Sequence, residues 1–375
     1  MTTFAGLLKA DGVNMKLILQ ARSQSRRGIG RIDLIVLIVI CALLCAVLGP
    51  GLLQTKRGPA KLMRCMNSLR QVGLATIAFA SNLNGELPSL SSDVEITNAA
   101  GQTGTIPMSW QMQILPALDA AAVLKNIRKN AVVVSGEEND VRMEIADTER
   151  IWLPDFACPD DVDSDRTPGG LSYVANSGFM SRSLYHGDPK GLHQIGKISW
   201  DGNNVCDEPK DIEISAATGV FWRAHPSFKS SLDYVATGDG TSTTLMLTEN
   251  LQAGPWYETD TAKIGFGLPI NDSNNQILFG AETFFESVQR PLNTQFPGGT
   301  LTSSAPQDWR INAGLKAKTG TQPRPSSNHK GGVNVMLCDG AVRFLSEKID
   351  PHVYVKILTP NGVSFGERGF QASDF

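Results

Sequence analysis

Apolar and polar positions change character twice along this chain. From Leu34 to Leu53 (LIVLIVICALLCAVLGPGLL) no side chain is charged or strongly polar. At about 1.5 Å per helical residue such a run covers roughly 30 Å, the thickness of a bilayer's hydrocarbon core. A helix pairs every backbone N–H and C=O within one segment, so the pattern predicts a membrane-spanning helix over 34–53. A buried core helix and a cleaved secretory signal are the rival readings. The run is longer than a secretory apolar region of about 7–15 residues, and no A-x-A site follows it.

A second pattern runs from Ala60 to Ser81. Leu62, Met66, Leu69, Val72 or Gly73, Ile77 and Ala80 recur at helical spacing, with Lys61, Arg64 and Arg70 facing away. This predicts an amphipathic helix that stops at Asn84-Gly85 and needs a partner surface for its stripe. Farther on the elements shorten. A short helix or packed turn is expected over Ser109–Leu118 and a helix over Asn139–Arg150 with Val141, Met143 and Ile145 inward. Leu171–Asn176, Val220–Arg223, Thr243–Glu249 and Val333–Leu345 read as β runs bounded by Gly, Asp, Asn and Pro. In the last of these, VNVMLC-DG-AVRFLS forms a hairpin around Asp339-Gly340. A two-residue loop pairs Cys338 with Ala341, Leu337 with Val342 and Val335 with Phe344, which with Val333 make the core face.

Composition sharpens this outline. Of 375 residues 41% are hydrophobic, enough for a sizeable core, and the 36 Gly and 20 Pro favour frequent turns and a β-rich head. A net charge of -3 carries no nucleic-acid footprint. Basic residues balance on the two sides of the apolar run, so charge does not orient it. Six cysteines divide into Cys41 and Cys45 inside the run and Cys65, Cys158, Cys206 and Cys338 beyond it, where four thiols allow three pairings. A Cys65–Cys158 disulfide is one candidate, tying the helix to the head. No C-x-x-C supports a zinc or redox motif.

Candidate chemistry is sparse. Asp161, Asp163 and Asp165 alternate as in the first half of a calcium loop, but Arg166 and Ser172 stand where such a loop has Gly and Glu. A solvated acidic turn is the main reading, with calcium the alternative and no other cofactor expected. His329 precedes Asp339 by ten positions; an extended chain would hold them roughly 30 Å apart. Asp339 is therefore a turn residue and His329 a hydrogen-bonded structural residue, unless Gly331-Gly332 folds the chain back. Glu249 shares a face with Leu245 and Leu247, which predicts a semi-buried carboxylate with an arginine partner. No G-x-S-x-G, H-E-x-x-H, phosphate loop or dinucleotide fingerprint occurs, so no enzyme class is nominated.

Two stretches carry a resemblance. From Arg26, RRGIGRIDLIVLIVICALLCAVLGPGLLQ resembles, without a gap, the N-terminus of type IV prepilin-like proteins. That resemblance implies that Gly28 ends a basic leader, Ile29 begins the mature chain, Asp33 is the acidic fifth residue and Pro50 kinks the helix. It also implies that Asp33 pairs with the new amine of a neighbouring subunit; a salt bridge from Arg31 to Asp33 is the alternative. A start at Met15 would leave a short basic leader, MKLILQARSQSRRG. His329, nine residues, then Asp339-Gly340 is similar to the H-X9-DG signature of a bacterial prepilin-like family whose domain has no assigned function. CMNSLRQVGLA from Cys65, NGELP from Asn84, FACPD from Phe156, SYVANSG from Ser172 and DGTSTTLMLTE from Asp239 resemble the same family in order.

The resulting expectation is an α+β chain with three parts: a cytoplasmic basic leader over 1–28, a pilin-like helix over 29–83, and a β-rich antiparallel extracytoplasmic head over 84–375. The resemblance implies a non-enzymatic pilin-like or pseudopilin-like subunit of the cytoplasmic membrane, a minor component of a type II secretion or type IV pilus-like assembly. Its partners would be the lipid bilayer, a prepilin peptidase and other pilin-like subunits. The alternative is an unprocessed, membrane-tethered binding module.

Overall fold

The computed structural model describes residues 30–53, 57–135, 141–185, 208–270 and 310–365, a few residues between 195 and 200, and four two-residue strands between 272 and 300. The chain divides into two units, Met1–Lys56 and Arg57–Phe375.

The first unit holds α1 (Arg31–Leu53). The expectation of a membrane-spanning helix over 34–53 is corrected here: among the described residues, no helix is long and apolar enough to cross a membrane. The expected helix itself forms, and its described side chains run from Arg31 to Leu44. Gly28, Ile29 and the side chains of Asp33 and Pro50 lie outside the described residues.

The second unit opens with α2 (Arg57–Asn82). Its buried face runs through Cys65, Leu69, Val72, Thr76 and Ala80. Leu62, Met66 and Ile77 sit at the margin of that stripe, so the expected face is rotated by a fraction of a turn toward Cys65. The helix closes as predicted: Asn84 and Gly85 take left-handed φ values of 54° and 87°, and the Gly85 amide donates to the Ala80 carbonyl at 2.8 Å.

Two sheets follow, with mixed pairing rather than the wholly antiparallel pairing expected. The smaller sheet contains β1 (Ser91–Thr97), β2 (Thr103–Ser109), β3 (Val132–Ser135) and β4 (Arg142–Glu144) in the order β1-β2-β4-β3. β2 and β4 are parallel and the other neighbours antiparallel. Between β2 and β3 lie α3 (Trp110–Ile114), capped by the Ser109 hydroxyl, and α4 (Ala121–Asn130). The helix expected over 139–150 is instead β4 and a single 3-10 turn at Asp147–Glu149. Met143 and Ile145 are buried while Arg142 and Glu144 are exposed, a period of two that a strand satisfies and a helix does not.

The larger sheet combines β5 (Tyr173–Ser181), β6 (Leu245–Glu249), β7 (Gly265–Ile270), β12 (Gly332–Leu337) and β13 (Val342–Ser346) in the order β13-β12-β6-β5-β7. Only β5 and β7 run parallel within it. Helices α5 (Arg182–Tyr185), α6 (Pro209–Thr218), α7 (Leu232–Thr237), α8 (Thr261–Ile264) and α9 (Pro351–Leu358) join and flank the strands. Two small ribbons pair β8 (Asp272–Ser273) with β9 (Gln276–Ile277) and β10 (Gln295–Phe296) with β11 (Gly299–Thr300). Val220–Arg223 joins no sheet; the Val220 and Phe221 amides donate to the Asn176 carbonyl.

The C-terminal hairpin exists, but its register differs by one residue from the predicted one. Met336 faces Val342 and Asn334 faces Phe344, across a loop of Cys338, Asp339 and Gly340. Gly340 adopts φ 90° and its amide donates to the Leu337 carbonyl, while Asp339 Oδ1 accepts from the Ala341 amide. That is a three-residue turn closed by a left-handed glycine. A one-residue slip changes which side chains face each other across the hairpin: Val333, Val335 and Val342 are buried as expected, but Met336 and Asn334 are fully buried as well and Phe344 is 43% exposed. A Cβ on Gly73 would run into Met336 Sδ, so glycine lets α2 close on β12.

Candidate functional site

Four segments meet where α2 crosses the larger sheet. α2 supplies Cys65 and Lys61; the loop after Phe156 supplies Cys158, Asp160 and Asp161; the end of β6 supplies Glu249; and the approach to β12 supplies His329. Cys65 and Cys158 are bonded across a sequence separation of 93, which fulfils the disulfide candidate. Tyr173 on β5 fixes the helix side by donating its hydroxyl to the Cys65 carbonyl at 3.0 Å. Ser172 fixes the loop side, accepting the Cys158 amide at 2.9 Å and donating its hydroxyl to Asp161 Oδ2 at 2.7 Å.

His329 stands against this disulfide. Its Nε2 lies 3.6 Å from Cys158 Sγ and 3.2 Å from Glu249 Oε1, and its Nδ1 lies 3.4 Å from Asp160 Oδ2. Glu249 is also held from β12: the Asn334 amide donates to Oε2 at 2.8 Å and the Asn334 side chain donates to Oε1 at 2.9 Å. Lys61 closes the chain of charges at 2.7 Å from Asp160 Oδ1. Gly331, at φ 87°, turns the backbone between His329 and β12, and the Ser327 hydroxyl latches that turn by donating to the Gly332 carbonyl at 2.7 Å.

The electrostatics follow from the geometry. Burial disfavours the charged imidazole of His329, but the hydrogen bond and charge of Glu249 and the charge of Asp160 outweigh it, against a smaller opposing effect of Lys61. The pKa is raised above its ordinary value of 6.5, and with carboxylates on both ring nitrogens the imidazolium is the matched form. Burial, reinforced by the charge of Glu249, pushes the Tyr173 phenol well above its ordinary range. The cluster therefore holds alternating charges at the edge of a covalent cross-link.

The sequence-predicted positions separate into those brought together and those not. His329 is buried and hydrogen-bonded as expected, while Asp339 is exposed at the opposite end of β12, so the two signature residues share no site. Asp161 turns inward at 2% exposure, and burial raises its carboxyl pKa against the hydrogen bonds of Ser172 and Ser164. Asp163 is exposed, so the three aspartates do not converge as a calcium set. Glu249 is more deeply buried than predicted and is bound by His329 and Asn334 in place of an arginine. Of the remaining cysteines, Cys338 is buried with its thiol pKa pushed up by burial, Cys41 is exposed, and Cys206 and the Cys45 side chain lie outside the described residues.

Asp160, Asn334 and Lys61 were missed, yet a signal existed for one of them. A charged Glu249 on an apolar strand face demands a buried partner, and Asn334 is the polar residue within the apolar run VNVML. Asp160 becomes visible only once Cys158 is placed on α2. Beside this cluster a groove is lined by Asp161–Ser164, Thr167–Leu171, Leu251–Pro255, Leu315 and Asn328.

Comparison with curated proteins and with solved structures finds no match. A family model does match, over residues 54–352, and its span includes Cys65, Cys158, Glu249 and His329. The chain therefore belongs to the family described as protein of unknown function (DUF1559).

Proposed function

We propose that the chain is an extracytoplasmic, non-enzymatic structural subunit of pilin-like type, in which α2 and the head move as one rigid body. The observation that carries this reading is the Cys65–Cys158 bond, which joins the inward face of α2 to the loop bearing Asp160 and Asp161. Disulfides persist mainly in oxidising compartments, and a subunit that transmits load through a helix benefits from a helix that cannot peel from its sheet. The N-terminal resemblance adds other pilin-like subunits and a prepilin peptidase as partners.

Intact mass measurement of the chain from its native host tests this reading. A mature N-terminus at Ile29 is the expected result, accompanied by a Cys65–Cys158 peptide pair in a non-reducing digest. A chain that begins at Met1 or Met15 and remains monomeric on crosslinking overturns the assembly role. A second reading, an extracytoplasmic binding module, is favoured by the groove between Asp161–Leu171 and Leu251–Pro255.

A further inference from the structure

We propose that reduction of the Cys65–Cys158 disulfide converts its surroundings into a zinc site built from Cys65, Cys158, His329 and Glu249. One ligand atom from each of these residues lies within 4.8 Å of every other. All four residues are buried, with none more than 7% exposed. A tetrahedral zinc ion, at about 2.3 Å from sulfur and about 2.0–2.1 Å from nitrogen or oxygen, needs ligand atoms roughly 3.3–3.8 Å apart. The four atoms surround such a volume once the two sulfurs part from bonding distance to roughly 3.8 Å, and two thiolates with an imidazole and one carboxylate are a donor set suited to zinc rather than to calcium.

The surrounding hydrogen bonds fit the same role. A zinc-bound histidine is usually oriented by a carboxylate on its other ring nitrogen, and Asp160 Oδ2 already faces His329 Nδ1 at 3.4 Å. Metal-binding carboxylates are likewise held by donors, and Asn334 supplies two such contacts to Glu249. In the oxidised chain the two sulfurs are bonded to each other and His329 donates to Glu249, so disulfide and metal are mutually exclusive occupants of one place.

The step balances with a dithiol as reductant. The dithiol becomes a cyclic disulfide and passes two electrons and two protons to the protein, giving the two cysteine thiols. Zinc then displaces both thiol protons and the Nε2 proton of His329, and three protons leave to solvent, while Glu249 binds as the carboxylate it already is. Spacing along the sequence hides such a site, since its four ligands come from residues 65, 158, 249 and 329.

The test uses the full chain, reduced under anaerobic conditions, freed of reductant and exposed to zinc alone or to cobalt as a coloured substitute. One zinc per chain is expected in the reduced protein and none in the oxidised protein. Cobalt should give a thiolate charge-transfer band with the intense visible absorption of tetrahedral coordination. Asp160→Asn, which keeps all four ligands, should weaken zinc binding about 10–100-fold. Equal uptake by the oxidised protein, or by a Cys65→Ser/Cys158→Ser variant, overturns the proposal by placing the metal elsewhere. Urea denaturation of the reduced chain gives a second readout that does not need a fully folded metal-free form. Zinc should raise the midpoint relative to a chelator, and an unchanged midpoint overturns the proposal.

Discussion

Replacing Cys65 and Cys158 together with serine removes the longest-range covalent constraint observed in the second unit. The bond closes a loop across 93 residues of separation. On a chain-entropy account, opening a loop of that length costs about 4.6 kcal/mol at 25 °C, because the unfolded ensemble gains the freedom the bond had denied it. With a urea dependence of about 3 kcal/mol per molar, the denaturation midpoint should fall by about 1.5 M. Tryptophan fluorescence is a suitable monitor, since Trp110 and Trp256 are both completely buried. The titration should include a chelator, so that adventitious zinc does not substitute for the bond in reduced controls. Reduced wild type and the oxidised double variant should then have the same midpoint. A fall of less than about 0.3 M, equivalent to about 1 kcal/mol, would refute the reasoning. It would mean that residual structure already restricts the unfolded chain as much as the bond does.

Further outcomes follow from the charge cluster and the glycines. Glu249→Gln should cost about 3–5 kcal/mol in the same urea titration, because it leaves the buried His329 with only Asp160 to offset its charge. Lys61→Met should cost less than about 1 kcal/mol, since the Lys61 side chain is 43% exposed and its pair with Asp160 is screened by water. Because the folded-state pKa of His329 is raised above 6.5, the stability it contributes is fully present below that value and lost as pH rises through the folded pKa. The stability difference between wild type and His329→Gln, measured by urea titration at several pH values, should accordingly be largest at about pH 6 and shrink toward about pH 9; a constant difference would exclude the imidazolium. Gly178→Ala should cost about 2–3 kcal/mol in thermal denaturation, because Gly178 sits at φ 64° and an added Cβ would lie 2.6 Å from the Thr218 carbonyl group.

How much of this was legible depended on whether local pattern or long-range pairing decided each element. The stop of α2 at Asn84-Gly85 and the short helix after Ser109 are local and were readable from residue type alone. The Asp339-Gly340 turn was readable too, but not its register. Adding Cys338 to the loop lets Gly340 take the left-handed position, and that single residue moved Phe344 from core to surface. In the 139–150 segment the apolar residues at 141, 143 and 145 fit a strand better than the helix assigned to them. Pairing with β3 through Val132, Val133 and Ser135, and with β2 at Thr105, then settled the matter. The cluster at His329 was the least legible. Its members are separated by roughly eighty to ninety residues along the chain, so no spacing rule connects them. Over Leu34–Leu53 the helix was legible from the apolar run and forms as α1, whereas the membrane crossing inferred from it is not seen among the described residues.

The position of the disulfide in the chain has a topological outcome. All four strands of the smaller sheet, from Ser91 to Glu144, are encoded between Cys65 and Cys158, and all five strands of the larger sheet, from Tyr173 to Ser346, are encoded after Cys158. The smaller sheet is thus carried inside a covalent ring, and the larger one is threaded from a single exit of that ring. A protease that cuts once anywhere between the two cysteines linearises the ring without releasing a fragment. The wound stays invisible by size until the sulfurs are parted.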